Sequence, residues 1–381
     1  MRFVVIGSGM MGTALAFDLV HSPGVTGITL LDSSHSRIGA AVDRLHSSLV
    51  KPIVLDLDSP GELSKILAGH DCAISAVPYR YNVMLTEAAL DAGIHFCDLG
   101  GNDEVVGEQL RMHDRARERN LLILPNCGLA PGLVNILAAR GAELFDSIEE
   151  IQMRVGGLPQ HPRPPLNYQL LFSVEGLLNE YSGKARVLRR GTIAEVDAMS
   201  EVEVIEFPPP FGTLEAFHTS GGSSRLAELL QGRVQELDYK TIRYRGHCER
   251  MKALLELGYS SSEPIQVGHR LMTTRELFME LLKKRLSGSD TDATLLRVVV
   301  TGAKSGKRES LRFELIDSYD RNDNISSMGR TTAFPASAIA QMAVAGVIRQ
   351  RGVLTPEECV PLEPLLTELK RRDLNVSIEW T

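Results

Sequence analysis

The 381-residue chain predicts an α/β protein: a doubly wound parallel sheet of the Rossmann type, then a second, mixed α/β domain. Three observations carry this. Short apolar strands alternate with helical segments over the first 125 residues. A glycine turn joins the first strand to the first helix. After Pro125 the pattern changes to longer β-rich runs. The expected division is 1–126 for the dinucleotide-binding domain and 127–330 for the second domain, with 331–381 packing back on the first.

Within the first domain, strands are expected at Phe3–Ile6, Ile28–Leu31, Pro52–Leu55, Cys72–Ala76, Ile94–Cys97 and Leu121–Leu124. Their unbroken apolar character, as in FVVI and LLIL, implies that both faces are covered. Helical segments between them run over Met11–Val20, Ser36–Leu45, Gly61–Leu67, Val83–Ala92 and Glu108–Arg119. Beyond Pro125, a helix over Pro131–Leu144 leads to a strand Ile151–Val155 and a Gly/Pro-rich loop, GGLPQHPRPPLNY. Leu295–Thr301 and Ser310–Ile316 read as an antiparallel hairpin turning near Lys304, Ser305 and Gly306. Pro335–Ile348 carries apolar residues at helical spacing.

Composition excludes several function classes. Lys and Arg number 41 against 48 Asp and Glu, a formal charge of −7, so general attraction to nucleic acid or an anionic membrane is not expected. Ala336–Ile348 is too short to span a bilayer. Five scattered cysteines without a C-x-x-C pair suggest neither a disulfide framework nor a metal site. With no basic leader ahead of the first strand, a cytoplasmic enzyme is expected.

Gly7, Gly9 and Gly12 form G-x-G-x-x-G between a strand and a helix. The first glycine permits the tight turn, the second lets a pyrophosphate approach the backbone, and the third permits close helix packing. With Met10 and Met11 they open a helix whose free N–H groups suit a diphosphate. Asp32, at the end of the second strand, is placed to accept the adenosine ribose diol, which favours NAD over NADP; Arg37 leaves dual use open. Asp56, after the third strand, and Ala76, Val77 and Pro78, after the fourth, complete the expected cofactor set.

Several peptides resemble the saccharopine dehydrogenase family, most closely its NAD-dependent lysine 6-dehydrogenase branch: VVIGSGMMG, HFCDLGGN, APGLVNILA, GGLPQHPRPPLNY, FSVEGLLNEY, LEAFHTSGG, YKTIRYRGH, LLRVVV and GRTTAFP. The resemblance implies a C-terminal helix completing the Rossmann domain and dimers formed through the second sheet. It also implies a small-molecule substrate, L-lysine, oxidised at its ε-carbon with NAD.

That chemistry needs an uncharged ε-amine, whose ammonium form has a pKa of about 10.4, and hence a route for the proton. His218, His247 and Asp98 are the candidates, two imidazoles and a carboxylate at a strand end. Glu175 is a further one. Arg243 offers a fork to the substrate carboxylate, with Tyr244 and Thr219 beside it; Glu175 or Glu215 would meet the α-ammonium, and Tyr168 would line the slot. The competing readings are a saccharopine reductase, usually NADP-dependent, and a non-catalytic NAD-binding sensor.

Overall fold

The computed structural model of the chain describes residues 1–59, 61, 63–288 and 291–381. The chain divides into two compact units. The first comprises Met1–Phe145, Ser224–Leu226 and Gly329–Ser377; the second comprises Asp146–Ser223, Ala227–Met328 and Ile378–Thr381.

In the first unit, seven strands form one sheet in the order Gly352–Val353, Leu122–Leu124, His95–Asp98, Cys72–Ser75, Arg2–Ile6, Gly27–Asp32 and Val50–Val54. Every pairing is parallel. The central strands are buried on both faces, as their apolar runs require, and Val4, Ile6, Ala73, Phe96 and Ile123 belong to one core cluster. Val50–Val54 contains Pro52, which lacks an N–H, and lies at the sheet edge where that costs no ladder bond. The seventh strand, from the C-terminal segment, is an addition to the six that the sequence pattern showed.

Other elements differ from expectation in their limits. The helix expected over Glu108–Arg119 is two, Asp103–Leu110 and His113–Glu118. The first is capped by Asn102, whose side chain accepts from Val105 N at 3.0 Å. The helix expected over Gly61–Leu67 spans Leu63–Leu67, and Glu62 within that stretch lies outside the described residues. The helix Leu133–Ala142 packs in the first unit, although the expected division at 126 assigned it to the second; Leu133, Val134, Ile136 and Leu137 are all fully enclosed there. The long C-terminal helix runs from Ser327 to Val344, so Pro335 lies inside it instead of opening it.

The second unit is built on a mixed sheet in the order Glu203–Phe207, Gly212–His218, Val234–Tyr244, Ser147–Pro159, Asp292–Lys304, Lys307–Ser318 and Ser377–Trp380, with Lys184–Arg189 and Thr192–Asp197 branching from Val234–Tyr244. The expected hairpin is present and longer. Lys304 pairs with Lys307 across Ser305 and Gly306, both at positive φ, as a two-residue turn requires. Gly156, Gly157 and Pro159 continue a strand and do not form a loop. A Cβ on Gly156 would lie 2.3 Å from the Ile242 carbonyl, so glycine lets two strands approach closely. The helices Val174–Glu180, His247–Glu256 and Thr274–Leu286 cover an apolar cluster that includes Tyr168, Leu177, Tyr181, Phe217, Met251 and Phe278. That cluster encloses the polar residues described next.

Candidate active site

In the first unit the glycine turn has the geometry the motif demands. Gly7 sits at φ +101, and a Cβ on Gly12 would lie 1.8 Å from the Gly7 carbonyl. Around Gly9 nothing lies within 4 Å of a Cβ position, and no side chain caps the helix Met10–Val20 that follows. These features fit a diphosphate laid against the helix start. Met10 is half exposed and Met11 partly buried at that start. Ala76 and Val77 pack directly against Gly7, while Pro78 opens the short helix Tyr79–Tyr81. Asp56 is exposed, and its side chain accepts from Asp58 N, turning its own loop.

Asp32 is not a vacant acceptor. Its Oδ2 accepts from Ser8 N and Ser8 Oγ at 2.8 and 2.9 Å; its Oδ1 accepts from Ser34 N at 2.8 Å and from Arg37 Nε and Nη2 at 3.2 and 2.9 Å. Burial works against the charge, but the Arg37 fork and the Ser8 and Ser34 donors outweigh it and hold the carboxyl down at about 2. A ribose diol meeting this carboxylate must displace or share the Arg37 fork, its most exposed partner.

Asp98, the third candidate for proton transfer, is completely enclosed. It accepts from Gln109 Nε2 at 2.7 Å, Gly100 N at 2.8 Å and Asn126 N at 3.2 Å. Burial raises its carboxyl to about 6 against the pull of those donors. The carboxylate therefore fixes the turns that follow two neighbouring strands.

In the second unit the structure brings Tyr168, Arg243 and His247 together. Arg243 Nε donates to Tyr181 Oη at 2.8 Å, and Nη1 donates to the Ile242 carbonyl at 2.9 Å. Its guanidinium lies 4.8 Å from the Tyr168 ring centroid and 5.8 Å from that of Tyr181. His247 Nδ1 lies 2.9 Å from the Leu166 carbonyl, which can only accept, so Nδ1 carries the proton. Nε2 is then the acceptor for Tyr181 Oη at 3.0 Å. Burial, reinforced by the Arg243 charge, lowers the His247 imidazole to about 3. This histidine is a neutral anchor for Tyr181 and not the acid–base group that its sequence context suggested.

The remaining expected residues lie in other settings. His218 is fully enclosed, with Nδ1 on the Tyr239 carbonyl at 3.2 Å and Nε2 on Glu201 Oε2 at 3.1 Å; both ring nitrogens are committed to acceptors, and a proton shuttle needs one that is not. Thr219 Oγ1 pairs with Thr241 Oγ1 at 2.8 Å, and Tyr244 Oη donates to the Pro159 carbonyl at 3.0 Å. Glu215 spends both carboxylate oxygens on Gly246 N and Cys248 N, capping the helix that His247 opens. Glu175 is exposed in the first turn of its helix. Neither Glu215 nor Glu175 is therefore placed to meet an α-ammonium.

One acidic residue was passed over. Glu180 ends the helix Val174–Glu180, directly before Tyr181, and is half-buried. Its carboxylate accepts no hydrogen bond among the described residues. Burial pushes it up to about 7 against the pull of Arg243. The peptide FSVEGLLNEY contains it, but nothing local distinguishes it from Glu175; i,i+5 spacing merely puts the two on different sides of the helix.

Among the described residues, no group of three or more His, Cys, Asp or Glu side chains could hold a metal ion, and no helix is long and apolar enough to cross a membrane.

Comparison with known proteins identifies the family and the fold. The family described as "Saccharopine dehydrogenase NADP binding domain" matches residues 3–124, and "Saccharopine dehydrogenase C-terminal domain" matches residues 128–374. A curated relative, saccharopine dehydrogenase [NADP(+), L-glutamate-forming] of Schizosaccharomyces pombe, is 22% identical over 92% of this chain and 93% of its own. The protein of the same name from Pyricularia oryzae is 23% identical over 79% of this chain and 66% of its own. Among solved structures, apo saccharopine dehydrogenase (L-Glu forming) from Saccharomyces cerevisiae covers 100% of this chain and 99% of that one at TM-score 0.81 and 18% identity. Homospermidine synthase from Legionella pneumophila, in complex with NAD, covers 100% and 91% at TM-score 0.71 and 14% identity; at these identities the likeness is one of fold. The chain belongs to the saccharopine dehydrogenase family.

Proposed function

We propose that this protein is an NAD-dependent amine dehydrogenase that oxidises the ε-amine of L-lysine, giving 2-aminoadipate 6-semialdehyde and ammonia. The observation that carries this reading is the charge content around the second unit's apolar cluster: among the described residues, one guanidinium, Arg243, faces one carboxylate without a hydrogen-bond donor, Glu180, while Glu215 is taken up by the Gly246 and Cys248 N–H groups. The other buried cations nearby in the sheet are already neutralised. Arg154 is paired with Glu203 and Asp238, and Lys240 donates to Glu203. A near-neutral enclosure suits an amino acid with a single carboxylate. Saccharopine carries three carboxylates and would require more unpaired positive charge.

In this reaction the lysine ε-carbon loses a hydride while its nitrogen lone pair forms the carbon–nitrogen double bond. Water adds to that iminium carbon and ammonia leaves. NAD, when bound, supplies the hydride acceptor. The chain's own residues do the rest. The glycine turn holds the diphosphate, Asp32 with Arg37 receives the adenosine ribose, and Arg243 holds the substrate carboxylate with its outward N–H groups. The Tyr181–His247–Leu166 chain of hydrogen bonds fixes the guanidinium in place. The one lone pair of His247, on Nε2, is occupied by Tyr181 Oη, so the rate should climb with the free-amine fraction of lysine toward its pKa of about 10.4.

Purified protein given lysine and NAD should form NADH and release ammonia in equal amounts. A second reading, oxidation of saccharopine with NADP, is favoured by the names of the curated relatives and by the Arg37 cation at the ribose end. Lysine leaving NAD untouched, while saccharopine reduces NADP, would establish that second reading in its place.

A further inference from the structure

One guanidinium and two groups beside it have unfilled hydrogen-bonding capacity. Arg243 Nη2 makes no hydrogen bond among the described residues; the guanidinium's bonds to Tyr181 Oη and the Ile242 carbonyl come from Nε and Nη1. Tyr168 Oη is sealed from solvent and meets no hydrogen-bond partner among the described residues, and its ring lies under the same guanidinium. The Glu180 carboxylate accepts no hydrogen bond among the described residues. Arg243 and Glu180 feel each other's charge, yet they do not come within the 4.0 Å of an ion pair. Neither Arg243 Nη2 nor the Glu180 carboxylate is sealed off like Tyr168 Oη, so both hold bonding capacity that an incoming ligand can reach.

We propose that Arg243 and Glu180 together receive the zwitterionic head of an α-amino acid, the guanidinium taking its carboxylate and Glu180 its α-ammonium, with Tyr168 Oη bonding to the same carboxylate. The assignment rests on the dehydrogenase reading, and it names which end of the substrate the second unit grips. It also sets the substrate class. A diamine would bring a second cation against Arg243, and a plain carboxylic acid would leave Glu180 facing no donor. The groups facing Glu180 are Arg243, Tyr168, Tyr181 and Tyr239. Burial raises all three phenols above their ordinary range, so they stay neutral, and among the described residues the opposing charge is that of Arg243. An arriving ammonium adds a second, and a Glu180 partly protonated near pH 7 releases its proton as the head docks.

The test uses L-norleucine, which has the head but no side-chain amine to oxidise, with hexanoate lacking the ammonium and pentylamine lacking the carboxylate. Calorimetry on the full chain should show norleucine bound at least about tenfold more tightly than either fragment, with proton release near pH 7 that depends on buffer ionisation enthalpy. Glu180→Gln should weaken norleucine about tenfold, leave hexanoate within about twofold, abolish the proton release and keep NAD affinity unchanged. Wild-type protein that binds hexanoate as well as norleucine overturns the proposal without recourse to any variant. So does a Glu180→Gln protein with intact NAD binding and undiminished norleucine affinity. A variant that loses kcat while its lysine KM stays put also overturns it, and would place Glu180 at the reacting nitrogen instead. If norleucine binds as described but lysine never reduces NAD, the receptor stands and the dehydrogenase reading falls.

Discussion

Asp32 in the first unit and Glu180 in the second are both carboxylates drawn away from water, and they end with opposite character. Asp32 collects five donor contacts, from Ser8, Ser34 and Arg37, and its carboxyl is held near 2. Glu180 has a buried guanidinium in its surroundings but no donor in contact, and it rises to about 7. Proximity to an arginine is common to both. What separates them is whether N–H groups actually reach the oxygens, because hydrogen bonds to a carboxylate offset its desolvation whereas a distant charge does so only in part. The first arrangement suits a permanent fixture of a binding turn, and the second suits a group that waits for a cation.

The largest effect should come from removing the charge beside Glu180. Arg243→Ala is expected to raise the lysine KM by about a hundredfold or more, the loss of a charged hydrogen-bonding partner, with the NAD KM nearly unchanged; steady-state kinetics in both substrates decide it. Equal rises in both constants would break the contrast between the two units. Next, Asp32→Ala should raise the NAD KM about tenfold with little change for lysine. Tyr181→Phe leaves Arg243 Nε and His247 Nε2 buried without partners, and should cost about 1–3 kcal/mol of stability, read as a fall in urea midpoint at constant slope.

The pH dependence of unfolding sharpens the comparison further, because the two groups act in opposite directions. Asp32 is depressed from its ordinary 3.8, so its contribution is present above about pH 4 and is lost as pH falls through about 2. Glu180 is raised from 4.5 to about 7, so its contribution is present below about 4.5 and fades as pH rises through 7. Asp32→Asn should flatten the acid limb of the melting curve, and Glu180→Gln the limb between about pH 4.5 and 7. The smallest effect is expected for Arg37→Ala. Its side chain is mostly exposed, so stability should change by only about 0–1 kcal/mol, but use of NADP should fall more than use of NAD.

Much of the first unit was legible because its rules are local. A parallel strand covered on both sides must be apolar along its length, and a turn that passes Gly12 within 1.8 Å of a carbonyl cannot carry a Cβ. The strand Gly352–Val353 escaped because two residues carry no periodicity, and only the pairing with Leu122–Leu124 defines them. The second unit was legible as peptides and not as a site. His218 and His247 occur in equally suggestive contexts, yet one is clamped between a carbonyl and Glu201 and the other is held neutral by Leu166 and Tyr181. Glu175, the carboxylate singled out in FSVEGLLNEY, is exposed, whereas Glu180 in the same peptide is half-buried.

By itself, the amino-acid order determined the dinucleotide turn, Asp32 at the second strand end, the hairpin and the family, since each rests on neighbours within a few residues or on whole peptides. Only the tertiary structure decided which ionisable groups keep their charge. Arg243, Glu180, Tyr168 and Tyr181 come from a strand, a helix end and a connecting segment up to 75 residues apart. Their protonation follows from how much water the folded chain excludes and which donors it delivers, quantities that spacing along the chain does not encode.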